Sequence, residues 1–353
     1  MALLVAGDRV TEWLVVDRLL GAGAFAEVHR VRHEYLGWQA MKVFKRIASL
    51  EETSQLLGEA RLLSTLGHPN IVRVFDAGTV PTPSGVRGFF TMEYVAGGSL
   101  EYLFQAYQPA LPTQLAVQVV EQIAAGLTVA HEQDPPILHR DLTLANILVG
   151  YDGDRLRIRI SDFGLARHAD PFTMLASAQG TFTFMAPELL RRDGYSRAAD
   201  VWSVGTIAYL LFTNRLPYDD DRGALSAYSP SRFTRPPLAP SRYNPELDSD
   251  LDRLVLAMLE VDQANRPASA TVVAEQLSAW RRGRDDAGPS DGTADLTPAA
   301  RARHLASAAL HLSRQAGQLD RAAELMSEAV GLAPELRDHY LPMLTLWRRG
   351  VTM

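Results

Sequence analysis

"HRDLTLAN", residues 139–146, is the stretch on which the fold turns. It sets His139, Arg140, Asp141 and Asn146 between two apolar pieces, "PPIL" before it and "ILVG" after it. Polar and titratable residues framed by short apolar runs read as a loop anchored at both ends in a core. An Asp five residues before an Asn can pair a proton acceptor with a metal ligand, because one brings a carboxylate and the other a neutral amide oxygen. No cation stands between them, and the residue two after Asp141 is Thr143.

Upstream of this loop the first 95 residues are strand-like. "WLVVDRLL" (13–20), "EVHRVRH" (27–33) and "QAMKVFK" (39–45) are short β-prone runs separated by Gly-containing turns, and "IVRVFDAG" and "GFFTMEYV" read as two more. One helix is expected among them, over 51–66, where Leu56, Leu57, Ala60, Leu63 and Leu66 recur at three- and four-residue spacing until "HPN" ends it. After Gly97 and Gly98 the pattern turns helical. Helices are expected from Ser99 to Tyr107, Thr113 to His131 and Ser196 to Phe212, each with its first residue as cap, and over 251–259 and 269–280. A β-rich first quarter followed by helices implies an α+β fold in two lobes, 1–95 and 96–280. Residues 281–297 are rich in Gly, Asp and Ser without apolar period and read as a linker, with a helical segment at 298–353.

Composition narrows the function. The chain has 353 residues, a formal net charge of −6 and no cysteine. The acidic balance argues against nucleic acid as partner, and the missing cysteines exclude disulfides, thiolate metal sites and thiol nucleophiles. The apolar run 203–212 is far shorter than the ~20 residues a bilayer requires. The start, "MALLVAG", lacks the basic region of a signal peptide. The reading is a cytoplasmic protein without membrane contact.

Two further motifs stand before the loop. "GAGAFAEV" (21–28) lies between two strands; its glycines either shape a bare hairpin turn or let backbone N–H groups approach phosphates. A dinucleotide fold is disfavoured because no helix follows the glycines. Lys42 in "AMK" sits among apolar residues, and a cation in such a place calls for an anion.

In order, "GAGAFAEV", "AMK", Glu59, "HRDLTLAN", "DFG" (162–164), "APE" (186–188), "DVWSVG" (200–205) and Arg266 in "NRPAS" span about residues 8–280. Together they resemble a eukaryotic-type (Hanks-type) protein kinase, most closely the bacterial serine/threonine branch. The resemblance implies a two-lobed kinase fold, ATP as phosphate donor and Mg²⁺ or Mn²⁺ as the metal. Gly21, Ala22 and Gly23, with Phe25 at the tip, would cover the phosphates; Ala26 replaces the usual third Gly. Lys42 would hold the α- and β-phosphates and be oriented by Glu59. Asp141 would accept the substrate proton, and Asn146 and Asp162 would bind the metal. Met92 would be the gatekeeper and Glu93–Val95 the hinge, with Val28, Ala40 and Leu148 around the adenine; for these apolar positions core packing is an equal local reading. Thr143 stands where serine/threonine enzymes place a Lys on the γ-phosphate, and offers only a hydroxyl.

Residues 162–188 carry a full activation segment, and Glu188, Arg266 and Asp200 match the residues that anchor it and the catalytic loop. This favours a protein substrate over a small molecule, and Thr181 favours Ser/Thr acceptors. Arg140 would bind a phosphate on the segment, with Thr173 and Ser177 either autophosphorylated or ordinary loop hydroxyls. The alternative to an active kinase is a pseudokinase scaffold, against which Lys42, Asp141 and Asp162 all count. The Pro-rich stretch 228–245 reads as a surface loop or a docking site. Residues 309–336 resemble a tetratricopeptide repeat, with Gly317, Ala322, Ala329 and Pro334 at its small-residue and terminal positions and Leu310, Leu319, Leu325, Met326 and Val330 as core. One and a half repeats do not bury a core alone, so 298–353 is expected to dock on the kinase C-lobe, hold a protein partner or self-associate.

Overall fold

The structure, a computed structural model, describes residues 2–45, 64–107, 111–152, 155–163, 181–191, 194–218, 230–285, 298–313 and 318–348. The helix expected over 51–66 therefore lies almost wholly outside the described residues, as do Glu59, Thr173, Ser177 and Gly317.

Five antiparallel strands form the first lobe: β1 (Leu14–Ala22), β2 (Ala26–His33), β3 (Gly37–Phe44), β4 (Val74–Thr82) and β5 (Gly85–Glu93), in the order β1-β2-β3-β5-β4. The turn residues explain the hairpins. Gly37 and Gly85 take positive φ, which suits the β2–β3 and β4–β5 reversals. Alternation then decides the faces: Val31, Met41, Val43 and Phe89 are buried with Leu14, Val16 and Val80 in a core on one side of this sheet.

The second lobe is helical, apart from the two-stranded sheet of β6 (Ile147–Asp152) and β7 (Arg155–Ile160). Its helices are α1 (Leu100–Ala106), α2 (Thr113–His131), the short α3 (Pro187–Leu190), α4 (Arg197–Thr213), α5 (Ser249–Met258) and α6 (Ala270–Asp285). The long α2 is central and packs against α4, α6 and β7. Gly126 on α2 permits one close approach, since a Cβ there would lie 2.9 Å from the Asn70 carbonyl and from the Ile160 side chain. That contact joins the lobes, as do the Val72 N–H to Ile160 carbonyl and Ile160 N–H to Asn70 carbonyl bonds, each 2.9 Å.

Helix caps depart from expectation. Thr113 is the first helical residue, with Pro112 at the cap position, whose fixed φ suits a helix start. Ser99 and Ser196 stand at cap positions without a side-chain capping bond. Asp248 is a true cap, accepting from the N–H groups of Asp250 and Leu251. Helix α6 runs to Asp285, into the expected linker. Glu121 on α2 holds this helix through the Ser278 hydroxyl at 2.8 Å and the Arg281 guanidinium at 3.3 Å. The stretch 228–245 is packed where it is described: Phe233 meets Trp202 and Tyr218 edge-on at 5.5 and 5.2 Å between ring centroids.

Beyond it come α7 (Pro298–Ser313), α8 (Leu319–Leu332) and α9 (Arg337–Trp347). Helices α7 and α8 form a hairpin whose core includes Leu305, Ala309, Leu312, Leu325, Met326 and Trp347, with Leu310, Leu319 and Val330 at its margin. Tyr102 of α1 packs against this core, so the hairpin lies against the helical lobe. It also reaches β1 of the first lobe, through Gln318 and Glu324. Among the described residues no helix is long and apolar enough to cross a membrane.

Candidate active site

The loop "HRDLTLAN" is shaped from behind by Asp200, a fully buried carboxylate in the first turn of α4. One of its oxygens accepts from the His139 N–H at 2.9 Å and from His131 Nε2 at 2.8 Å; the other accepts from the Arg140 N–H at 3.0 Å. Burial alone would raise this carboxyl, but the hydrogen bond and charge of His131 and the Arg140 N–H hold it below the ordinary carboxylate value. The turn needs this anchor. Arg140 has φ +72°, in the left-handed region, which costs an L-residue with a Cβ about 1–2 kcal/mol. Arg140 itself lies over the Tyr195 ring, 5.4 Å from its centroid.

His139 is the second support. Its Nε2 donates to the Ser161 carbonyl at 2.8 Å, and its Nδ1 accepts from the Asp141 N–H at 3.3 Å. That pattern assigns Nε2 as the donor and Nδ1 as the acceptor. The ring also packs on buried Phe163 of "DFG", with centroids 4.8 Å apart. Phe163 inside the core turns the neighbouring Asp162 outward, at φ +63°, where its Oδ1 meets Lys42 Nζ at 2.8 Å.

Asp141 projects from this turn. Asn146 donates through Nδ2 to the Asp141 carbonyl at 2.7 Å and to Asp141 Oδ2 at 3.1 Å. Asp141 Oδ1 is buried and has no hydrogen-bond partner among the described residues. An orphaned buried acceptor is costly, so this oxygen is suited to an incoming donor. Burial pushes the Asp141 carboxyl above its ordinary value, against the opposing pull of His139, the Asn146 hydrogen bond and Lys42. Thr143, two residues on, keeps only 8% of its surface exposed, between Asp141 and the short 3-10 turn Leu144–Asn146.

Above the loop lies the β-lobe face. Lys42 pairs with Phe90 across β3–β5 and with Val28 across β2–β3, and Ala40 lies opposite Met92. Ala40, Met92 and Val95 are buried in the main core, with Val28 and Leu148 partly buried against it. Glu93 is drawn aside by Arg159 Nε at 2.7 Å; burial raises its carboxyl and Arg159 opposes that. The glycine turn is closed by a Gly23 N–H to Ala26 carbonyl bond of 2.9 Å, with Phe25 exposed at its tip. Neither Gly21 nor Gly23 takes positive φ. Among the described residues a Cβ would meet nothing within 4 Å at Gly21 and only the Ala26 carbonyl, at 3.9 Å, at Gly23. Neither the turn nor the described neighbours demand glycine here, and the backbone is open on that side.

The structure thus brings Lys42, Asp141, Asn146 and Asp162 together between the lobes, with Met92 and Ala40 in the main core and Val28 and Leu148 packed against it. Lys42 has Asp162 as partner; Glu59 lies outside the described residues. Thr181 begins a 3-10 turn, Thr181–Phe184. Glu188 and Arg266 form a buried bidentate pair at 2.7 and 2.8 Å, and Arg266 also donates to the carbonyls of Glu260, Ala198 and Val261. His131 and Ser161, which hold the loop from behind, were not expected. Their signal was faint: His131 is a lone polar residue ending an apolar helix, and Ser161 only precedes "DFG".

Among the described residues no cluster of three or more His, Cys, Asp or Glu forms a ready metal cage. Asn146 and Asp162 instead offer two oxygen donors, which suits Mg²⁺ completing its shell from nucleotide phosphates and water. The donor set therefore fits the metal.

The protein kinase domain family matches residues 14–278. Serine/threonine-protein kinase PknB of Mycobacterium tuberculosis is 31% identical over 305 residues, covering 84% of this chain and 47% of the relative. Mitogen-activated protein kinase kinase kinase 3 of Arabidopsis thaliana is 34% identical over 273 residues, covering 75% and 46%. The chain thus spans about half the length of these curated relatives. A double-mutant form of the Mycobacterium tuberculosis PknI kinase domain superposes with a TM-score of 0.60 at 27% identity, over 79% of this chain and 99% of that one. The match over 14–278 and the motif geometry lead to one conclusion: this chain belongs to the protein kinase family.

Proposed function

We propose that the cleft binds MgATP and that the protein transfers the γ-phosphate to serine or threonine hydroxyls of protein substrates. The observation that carries this reading is the buried Oδ1 of Asp141, which has no partner among the described residues and lies beside Asn146 and the Lys42–Asp162 pair. Asp141 orients the acceptor hydroxyl and takes its proton, with Asn146 fixing the carboxylate. Lys42 holds the α- and β-phosphates, and its contact with Asp162 marks where that anion enters. Asn146 and Asp162 hold Mg²⁺, which when bound offsets phosphate charge. Gly21 and Gly23 offer backbone N–H groups to the phosphates, while Val28, Ala40, Met92 and Leu148 enclose the adenine and Glu93–Val95 supply its backbone hydrogen bonds. Thr143 donates a hydroxyl hydrogen bond in place of a cation.

The anchored segment end, with Glu188 locked to Arg266, supports a protein acceptor, because it frames a surface on which a peptide can lie. Thr173 and Ser177 remain candidates for autophosphorylation, with Arg140 as the phosphate partner. The cytoplasm, where ATP and protein substrates are available, is the working compartment. The C-terminal helices are read as tetratricopeptide-like, and their docking on α1 supports the self-docked arrangement over partner capture.

Purified protein with labelled ATP and Mg²⁺ tests this. Label should appear in the protein itself or in a basic protein substrate, and vanish in Asp141→Asn and Lys42→Met. Intact nucleotide binding without transfer in the unmodified protein would replace the reading with a pseudokinase scaffold.

A further inference from the structure

The C-terminal hairpin touches both lobes at the place where they are joined. On the helical side, α7 packs along α1, and Tyr102 of α1 packs against the hairpin core. On the strand side, Glu324 of α8 receives both terminal nitrogens of Arg18 on β1, at 3.0 and 2.5 Å, and Arg30 Nη1 of β2 at 3.2 Å. Arg30 is in turn fixed by Asp17 at 2.7 Å. Between these contacts runs the hinge, where the Arg30 and Arg321 guanidiniums lie 5.7 and 6.0 Å from the Tyr94 ring centroid.

One contact bears directly on the cleft. Gln318, 6% exposed, donates through Nε2 to the Leu20 carbonyl at 3.0 Å. Leu20 immediately precedes Gly21, and its side chain packs on the core that contains Ala40, Met92 and Val95. The carbonyl that starts the glycine turn is therefore held by a residue about 300 positions away in sequence.

We propose that the hairpin is a strut across the hinge that sets the spacing of the nucleotide cleft, with Gln318 and Glu324 as positioning residues for β1 and the glycine turn. Two packed lobes whose chain crosses between them at a short irregular segment can rock about it. A body fixed to α1 on one side and to β1 on the other restricts that motion. The lobe separation it holds is the one in which Lys42 reaches Asp162 at 2.8 Å. Releasing the strut lets the cleft widen, which weakens nucleotide binding more than it slows transfer once the nucleotide is bound. The Glu324 carboxyl suits this role. Burial would raise it, but Arg18 and Arg30 hold it below its ordinary value, so it stays charged at neutral pH.

The inference rests on the nucleotide reading of the cleft, and the experiment separates the two. In the full chain, Glu324→Ala, Gln318→Ala and the double variant are compared with the conservative Glu324→Gln, which keeps an acceptor for Arg18. The readouts are MgATP affinity by titration, KM for ATP, kcat and Tm. The expected result is an ATP Kd and KM raised about five- to tenfold in the double variant, kcat within about threefold, and most of the affinity restored in Glu324→Gln. Salt of about 1 M, which screens half-exposed Glu324, should raise KM in the unmodified protein and narrow its gap to Glu324→Ala. Lower Tm with unchanged Kd and KM would make the hairpin merely structural and overturn the strut. So would a fall in kcat with unchanged Kd. Absence of MgATP binding in the unmodified protein would instead overturn the nucleotide reading, and the strut with it.

Discussion

Replacing Asp200 by Ala isolates what holds the catalytic turn. The substitution removes the acceptor of three donors in the buried interior: the N–H groups of His139 and Arg140 and the His131 ring. Hydrogen bonds to a charged partner contribute ~1.5–3 kcal/mol each, and a buried donor left unpaired costs ~1–3 kcal/mol. The sum overshoots, because Arg140 can leave its left-handed conformation and recover ~1–2 kcal/mol. The expected loss is about 3–5 kcal/mol, the size seen when one partner of a buried charged pair is removed. The same relaxation displaces Asp141, the next residue, and a misplacement of about 1 Å can cost ~10²-fold in rate. Urea denaturation followed by far-UV circular dichroism reads the first quantity, and ADP production under folded conditions reads the second. Asp200→Asn keeps one acceptor but turns an NH₂ toward a donor, so it should fall between Ala and the unmodified protein. Because the folded Asp200 carboxyl sits below its unfolded value, its contribution is full above pH ~4 and is lost as pH falls through the lower folded value. If Asp200→Ala loses under about 1 kcal/mol and keeps kcat within threefold, the turn is held by something else and this reasoning fails.

Three other outcomes are expected. Asp141 must be ionised to accept a proton, and burial raises its carboxyl, so the acid limb of kcat/KM should lie above the ordinary carboxylate range of about 4; a limb at or below that value contradicts the buried acceptor. Glu188→Ala strands the fully buried Arg266 side chain, and should lower stability by ~3 kcal/mol with an unchanged urea m-value; a loss below about 1 kcal/mol means the three backbone carbonyls suffice. Thr143→Lys should leave kcat intact or raise it by up to ~10²–10³-fold, since it adds a cation where charge develops; loss of transfer in folded protein would show that Thr143 has its own task.

How legible was this in the sequence? The β-lobe was legible because its turns are punctuated by Gly37 and Gly85 and its strands alternate. The cleft was legible because Lys42, Asp141, Asn146 and Asp162 lie in short motifs at recognisable spacing. What failed to show was whatever depends on contacts between distant surfaces. Glu324 is an exposed-looking acid on an amphipathic helix, and nothing in its neighbourhood announces Arg18, 306 residues earlier. The hairpin was expected on the C-lobe, on a protein partner or on a second copy, and none of these announced the charged contacts it makes with the strand lobe. Thr113 looked like a cap by residue type, and the preceding Pro112 took that position because its φ is already fixed. The extension of α6 through Asp285 was hidden because "RRGRD" has no apolar period; its hold is polar, through Ser278 and Arg281 to Glu121.

The two aspartates that bracket the catalytic turn show why residue type alone leaves a site undecided. Asp200 is buried and Asp141 partly buried, yet they are pushed in opposite directions. Donors make the difference. Asp200 collects two backbone N–H groups and a histidine, so its negative charge is fully solvated by protein and it remains a fixed anchor. Among the described residues Asp141 collects one amide NH₂ on one oxygen and no donor on the other, so its charge is under-solvated and its carboxyl is raised. A carboxylate saturated with donors cannot take a proton cheaply, and one starved of them can. The proposed division of labour, anchor against base, thus follows the number of N–H groups each receives. That number follows from the left-handed turn at Arg140, which directs two consecutive N–H groups backward to Asp200 and carries the next side chain forward into the cleft.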